Sequence, residues 1–372
     1  MTKAFLEVGG LFEDNWTGIG TVIASIAVRA LEDPLIDWSF CYETLRIPDD
    51  RIRELLDQRS GLGSIGLLAG RVWEASEISP AEAADAVGIY PNIKPMHRFF
   101  GHEASIVYDL SPILTPEFHS AANIGHFANR IRGDMESSDH VFCISQATLS
   151  DVQAYFRLPD EQVSVIEMGV AFDPADVSAG LASLWGRTAE PYVAIVGTLE
   201  PRKNGALMFE YLAQNPSFAS RYRVVFIGRD GWLEEKERLL DLLGRSGVDP
   251  SRVTFTGYVS DAEKLTLMLN SAFCVYPSRF EGYGLPVLEA AALGKVTVCS
   301  NSSSLPEVAP EASIFFDPLD VFDFSQAMRI AELRAAQTRS SQQALEDIML
   351  RVEPLSWDRA YRPIAEWVRT RK

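Results

Sequence analysis

The chain has 372 residues, more than a single hydrophobic core usually serves, so two domains are expected. Hydrophobic residues make up 47% and charged residues 23%, enough apolar area for two cores and too much for a disordered chain. The formal net charge is −17, and residues 1–170 hold 12 Lys and Arg against 25 Asp and Glu, a balance of −13, which argues against a nucleic-acid footprint and against electrostatic docking of the first half on anionic lipid.

The chain opens on MTKAFLEVGG, with no basic stretch leading into a long apolar segment, and no run of about 18 apolar residues follows anywhere, so neither a signal peptide nor a membrane span is expected. AFLEVGG at 4 reads as a first strand. The loop GGLFEDNWTGIG then leads into a long helix, and Gly18-Ile19-Gly20 in it is a shortened dinucleotide fingerprint whose third glycine position holds Ile23. This disfavours a nicotinamide enzyme and leaves two readings, a glycine turn over a donor phosphate or a simple helix entry.

WSFCYE at 38 is the next strand. Arg46, Arg51, Arg53 and Arg59 are interleaved with Asp49, Asp50, Glu54 and Asp57, as on a solvated helix face. The Gly-rich stretch RSGLGSIGLLAGRVW from 59 reads equally as a mobile lid or as a packed helical turn region. AVGIYP at 86, SIVYDL at 105, HVFCIS at 140 and QVSVIE at 162 continue the strand rhythm. Between Met168 and Pro191 the pattern lapses into turn residues, so residues 1–170 are expected to form an N-terminal Rossmann-like domain, and 171–190 a linker.

From 191 the rhythm sharpens: YVAIVG at 192, RVVFIG at 223, RVTFTG at 252, AFCVYP at 272 and KVTVCS at 295 alternate with helical stretches. Near-continuous apolar strands imply a parallel sheet covered on both faces, and residues 191–352 are expected to form the second domain. Residues 353–372 read as a terminal helix packing back on the body, with Trp357, Tyr361, Ile364 and Val368 on one face and Pro363 forcing a kink or restart. Cys41, Cys143, Cys274 and Cys299 are far apart, three of them in apolar runs, and read as buried free thiols of a cytoplasmic protein.

Ligands of open α/β sheets bind beyond the carboxyl ends of the strands. PSRFEGYGLPVLEAAALGK follows one such strand, with Glu281 and Glu289 flanking Gly282 and Gly284 ahead of a helix that starts near Pro286. Glycines at a helix start let a phosphate reach free backbone N–H groups. Glu281 is placed to accept from sugar hydroxyls and Glu289 from a ribose. GTLEPRKN follows another strand, with Arg202 and Lys203 at the turn, where a guanidinium fork and an ammonium can neutralise a diphosphate.

Three stretches, GTLEPRKN from 197, FTGYVSDAEKLTLMLNSAFCVYPSRFEGYGLPVLEAAALGKVTV from 255 and SSLPEV from 303, resemble glycosyltransferase family 4, the retaining GT-B enzymes, and in particular the bacterial mannosyltransferase-like branch that builds surface polysaccharides. TGIGTVI at 17, YDLSPILTPEFH at 108 and the terminal SWDRAY extend the likeness more thinly. The resemblance implies a GT-B fold, two Rossmann-like domains facing each other across a cleft with the C-terminal helix returning to the first. It also implies a retaining hexosyltransferase, with GDP-mannose as the first donor to test and GDP-sugars ahead of UDP-sugars. The acceptor it implies is a glycan or lipid-linked saccharide, with the enzyme in the cytoplasm and peripheral contact at the inner membrane face left open. No metal and no cofactor besides the nucleotide-sugar co-substrate are implied.

Residue by residue, the resemblance implies that Arg202 and Lys203 hold the donor diphosphate, Glu281 the sugar and Glu289 the ribose. Thr198, Leu285 and the backbone of Gly282, Tyr283 and Gly284 would lie near the phosphates, Gly18 and Gly20 over them, and Tyr258 and Val259 at the nucleobase. One position departs: relatives commonly have His-Asp where this chain has Tyr108-Asp109, so those two residues stand with Glu281 as the catalytic candidates. His102, His119 and His126 lie nearby, but a lone histidine is more often structural. A nucleotide-sugar epimerase of the same fold and a catalytically silent donor-binding subunit are the alternatives.

Overall fold

In a computed structural model of the chain, residues 1–13, 16, 18–58, 75–183, 190–338 and 345–371 are described. The Gly-rich stretch 59–73 lies outside them. Two α/β units result. Residues 1–110, 122–169 and 357–372 form the first, and residues 111–121 and 170–356 the second.

The first unit is built on an eight-stranded sheet: β1 (Thr2–Glu7), β2 (Ile36–Tyr42), β3 (Leu45–Ile47), β4 (Ser76–Glu77), β5 (Val87–Tyr90), β6 (His102–Val107), β7 (His140–Cys143) and β8 (Val163–Val165), in the order β4-β3-β2-β1-β5-β6-β7-β8. From β2 through β1 to β8 every pairing is parallel, whereas β2–β3 and β3–β4 are antiparallel, an edge that the apolar rhythm does not announce because both added strands are short. The chain builds outward from β1 through β2, then returns to the other side of β1 with β5, where Phe5 stands opposite Gly88.

The second unit repeats that plan with β9 (Tyr192–Val196), β10 (Arg223–Ile227), β11 (Val253–Phe255), β12 (Cys274–Tyr276), β13 (Thr297–Ser300) and β14 (Ser313–Phe316), all parallel, in the order β11-β10-β9-β12-β13-β14. This is the doubly wound order 3-2-1-4-5-6, whose direction reverses between β9 and β12. β14 is the one strand of this sheet not expected from sequence. The core beside it holds Phe209, Phe218, Phe273, Phe316 and Phe324, each essentially fully buried and each stabilising the fold by about 2–3 kcal/mol. Cys41, Cys143, Cys274 and Cys299 are all buried and free, as expected.

Five helices matter below. α1 (Gly18–Ala30) follows β1, α2 (Pro174–Ser183) opens the second unit, α3 (Asp261–Asn270) precedes β12, α4 (Leu285–Ala292) follows it, and α5 (Asp358–Arg369) ends the chain. α2 occupies much of the stretch expected to be a linker. Its start is local: Asp173 Oδ1 accepts from Ala175 N at 2.8 Å and Pro174 stands in the first turn, a start signal that also looks like a turn. The expected linker therefore contains a helix packed on α3 rather than a bare connection.

α5 belongs to the first unit. Arg29 pairs with Asp358, Tyr361 donates to Asp33 at 2.7 Å and accepts from Trp38 Nε1 at 2.9 Å, and Arg359 pairs with Glu167. The helix runs through Pro363 without restarting. Among the described residues, no helix is long and apolar enough to cross a membrane.

Candidate functional site

The turns after β9 and β12 meet at the point where the second sheet reverses direction, and this is where the sequence-predicted donor residues assemble. After β9 the chain makes one short turn of helix, Pro201–Lys203, and Asn204 then takes a left-handed conformation (φ 56°), which asparagine tolerates better than most residues. That turn aims Arg202 and Lys203 at the next loop. Gly197, at φ 148°, makes room for them: a β-carbon there would lie 3.3 Å from Lys203 Cε.

Glu281 is the hub. Lys203 Nζ donates to Glu281 Oε1 at 2.7 Å and to the Tyr276 hydroxyl at 2.9 Å, while Arg202 Nη1 donates to Glu281 Oε2 at 2.8 Å and to the Phe280 carbonyl at 2.6 Å. Arg202 Nη2 reaches Glu200 Oε1 at 2.6 Å. Burial alone would raise the Glu281 pKa, but Arg202 and then Lys203 overcome it and hold the carboxyl down to about 2. Burial dominates at Glu200, whose pKa is raised against the pull of the same two cations. Burial, with Glu281 adding, pushes the Tyr276 phenol well up.

Each carboxylate oxygen of Glu281 therefore already accepts from a cation. A carboxylate has about four acceptor sites, so capacity remains for a further donor. Two of the three Lys203 ammonium protons are engaged. Neither Glu200 nor Tyr276 was expected from sequence; Tyr276 is the last residue of the apolar strand β12, and Glu200 stands in the turn after β9, directly before Pro201–Lys203.

The loop from Arg279 to Gly284 is held by main-chain bonds. Glu281 N donates to Ser303 Oγ at 2.7 Å, and Ser304 Oγ donates to the carbonyls of Glu281 and Tyr283, both at 2.9 Å. Gly282 and Tyr283 are buried in this turn. Gly284, at φ 106°, is the N-cap of α4; a β-carbon there would both strain the backbone and lie 2.5 Å from Leu305 Cδ2. Leu285 and Pro286 form the first turn. Glu289 is one turn deeper in α4 and pairs with Lys264 of α3.

Thr198 follows Gly197 at the carboxyl end of β9, half-buried. Tyr258, before α3, is 55% exposed, and Val259 beside it is half-buried. Thr198, Arg202, Lys203, Glu281, Gly282, Tyr283, Gly284, Leu285 and Glu289 thus come from the turns and helix start after β9 and β12, with Tyr258 and Val259 from the loop after β11.

The remaining candidates lie in the first unit. Gly18 and Gly20 do not form a turn: they are the first turn of α1, and the Trp16 side chain packs where a Gly20 β-carbon would be, with Cβ and Cγ 3.0 Å away. Helix entry, of the two readings, is what the local structure has. Tyr108 and Asp109 follow β6, and Thr148 Oγ1 donates to the Tyr108 carbonyl at 3.1 Å. The Tyr108 hydroxyl is buried with no hydrogen-bond partner among the described residues, and burial, with Glu7 adding, pushes its pKa far up.

The three nearby histidines lie apart from one another. His102 stands at the opposite end of β6, with Nδ1 3.1 Å from Asp139, and His126 is exposed. His119 belongs to the second unit, where its ring stacks on Trp232 with centroids 6.0 Å apart.

Residues 185–344 match the family model described as "Glycosyl transferases group 1". The chain is 30% identical over 237 residues to O-antigen chain mannosyltransferase B of Escherichia coli, a match covering 62% of this chain and 61% of that protein. It is 32% identical over 233 residues to the serotype-specific mannosyltransferase WbdA of Escherichia coli, covering 61% of this chain and 28% of that protein. The match thus spans less than two thirds of either relative. In three dimensions the whole chain is similar to sucrose-phosphate synthase from Thermosynechococcus elongatus, with a TM-score of 0.68 at 17% identity over 100% of this chain and 99% of the other, a likeness that shows the GT-B fold.

Proposed function

We propose, from the premise that residues 185–344 are a glycosyl transferases group 1 domain, that this chain is a glycosyltransferase of surface-polysaccharide synthesis that moves a hexose from a nucleotide-sugar to a glycan or lipid-linked hydroxyl. The observation that carries this reading is the Arg202–Lys203–Glu281 cluster at the reversal between β9 and β12, two half-buried cations on one buried carboxylate. Mannose from GDP-mannose is the donor we favour, because the curated relatives are mannosyltransferases at 30% and 32% identity.

In this reading the bond between the sugar's anomeric carbon and the diphosphate breaks, the acceptor oxygen bonds to that carbon with retention, and the acceptor proton leaves with the diphosphate. Negative charge builds on the departing diphosphate. Arg202 and the remaining Lys203 proton meet it, together with the positive end of the α4 dipole, so side chains and a helix terminus do the work that a metal ion does elsewhere. Glu281 does two things: it orients both cations and keeps acceptor capacity for a sugar hydroxyl. Tyr108 and Asp109 are the acceptor-side candidates.

A thermal-shift series with GDP, UDP and their mannose and glucose conjugates tests the assignment. GDP at about 100 times its dissociation constant should raise stability by about 2.7 kcal/mol. GDP-mannose turnover should fall about a hundredfold in Lys203→Ala, the scale of losing one key contact to the developing charge. Stabilisation by UDP and not GDP would move the donor to a UDP-sugar. No response to any nucleotide, or full turnover in Lys203→Ala, would overturn the site.

A further inference from the structure

Glu289 has one oxygen engaged and one idle. Its Oε1 accepts from Lys264 Nζ at 2.8 Å, while Oε2 is buried with no hydrogen-bond partner among the described residues. A buried acceptor left without a donor costs about 1–3 kcal/mol, so such an atom marks a place where a ligand's donor fits. A plain structural bridge between two helices has no need to bury the second oxygen unpartnered.

The position of Lys264 adds a second observation. It stands in the first turn of α3, whose start is fixed by a capping box in which Ser260 Oγ accepts from Glu263 N and the Glu263 carboxylate accepts from Ser260 N. Tyr258 and Val259 lie directly before that box. The ammonium also lies 3.4 Å from Asp261 Oδ1. Burial opposes its charge, but Glu289 and Asp261 together raise the Lys264 pKa, so the clamp stays charged across the working pH range. Lys264 thereby joins the first turn of α3 to the carboxylate on α4.

We infer that Lys264 is a positioning residue for the donor's ribose: by holding Oε1 of Glu289 it turns Oε2 toward a ribose hydroxyl, and it sets that contact in register with the loop that borders the base. The inference rests on the nucleotide-sugar reading of the site above.

Calorimetric titration of the whole chain with GDP and UDP, and with their 2′-deoxy and 3′-deoxy counterparts, tests it. Wild type should bind the ribonucleotide about tenfold more tightly than at least one deoxy form, the size of one hydrogen bond to a charged group. Lys264→Met should lose that ratio by weakening the ribonucleotide alone, because a deoxy ligand never used the clamped oxygen. Lys264→Arg should restore it, and turnover should show KM rising in Lys264→Met with kcat nearly unchanged. If Lys264→Met does not fold, Lys264→Gln is read in its place.

A variant that keeps the full ribose ratio overturns the role of Lys264 while leaving the site standing. Equal binding of ribo and deoxy forms by wild type overturns the Glu289 contact and the inference with it. Binding of no nucleotide at all is the separate failure of the functional reading.

Discussion

At the reversal between β1 and β5 the first unit places Glu7, buried, with its Oε1 accepting from Gly9 N at 2.9 Å and no cation paired with it among the described residues. Burial, with Glu43 adding, raises its pKa to about 7. At the reversal between β9 and β12 the second unit also places a buried carboxylate, Glu281, but flanks it with Arg202 and Lys203 and brings its pKa down to about 2. The first unit does own a buried ion pair, and it lies further along: Lys94 Nζ donates to Glu103 at 2.7 Å and to Ser137 at 3.0 Å, while Glu103 also accepts from the backbone of Arg98, Phe99 and Phe100. That network holds residues 91–101, all described, which cross from β5 to β6 without a helix. Buried charge thus fixes a crossover in the first unit and ties together two strand-end turns in the second.

The largest effect that can break this contrast is at Lys94. Lys94→Met leaves Glu103 buried without its cation and should lower unfolding stability by about 4 kcal/mol in a denaturant titration, with nucleotide affinity unchanged. A loss of nucleotide binding in the folded variant would mean that the network serves the site after all.

The two switch-point carboxylates should respond to pH with opposite signs. Glu281 has a folded pKa below its ordinary 4.5, so it stabilises the fold above that value and the contribution disappears as pH falls from about 4.5 to 2. Glu281→Gln should cost about 3 kcal/mol at pH 7 and little near pH 2. Glu7 has a folded pKa above 4.5, so its ionisation opposes folding as pH rises from about 4.5 through 7. Glu7→Gln should therefore leave stability unchanged at pH 4 and raise it by about 3 kcal/mol at pH 8. Melting curves of both variants across that range measure the two signs directly; equal signs would remove the distinction.

The smallest effect sharpens the first unit's role. Tyr108→Phe deletes a buried hydroxyl that has no partner, and should raise stability by about 1 kcal/mol. If turnover falls at the same time, the hydroxyl faces substrate; if turnover holds, Asp109 is left as the acceptor-side candidate.

Much of the candidate site was legible because its residues are consecutive and stand in the turns that follow strands. GTLEPRKN and RFEGYGLPVLE each place their chemistry within a dozen residues, and the apolar strands before them say where the turns fall. What stayed hidden is set by tertiary pairing. Lys264 and Glu289 are 25 residues apart on different helices, and Lys94 and Glu103 differ in no local way from surface charges. Glu7 reads as a polar interruption in a strand, since nothing in AFLEVGG reports that its carboxylate will be dry. Asp173-Pro174 carried both a turn and a helix-start signal, and only the packing of α2 on α3 decides between them. Gly18 and Gly20 were ambiguous for a similar reason: Trp16 folds over Gly20, and no local pattern announces that.

The turns after β9 and β12 are also stitched by bonds that involve no charge. Arg279 N donates to the Arg202 carbonyl at 2.8 Å, and Asn204 Nδ2 donates to the Pro277 carbonyl at 3.1 Å and, after β14, to that of Pro318 at 3.1 Å. Two stretches more than 70 residues apart in the chain are, mechanically, a single casting. Substitutions in one will not add to substitutions in the other, and a chimaera that borrows either turn from a relative without its mate inherits half of a joint.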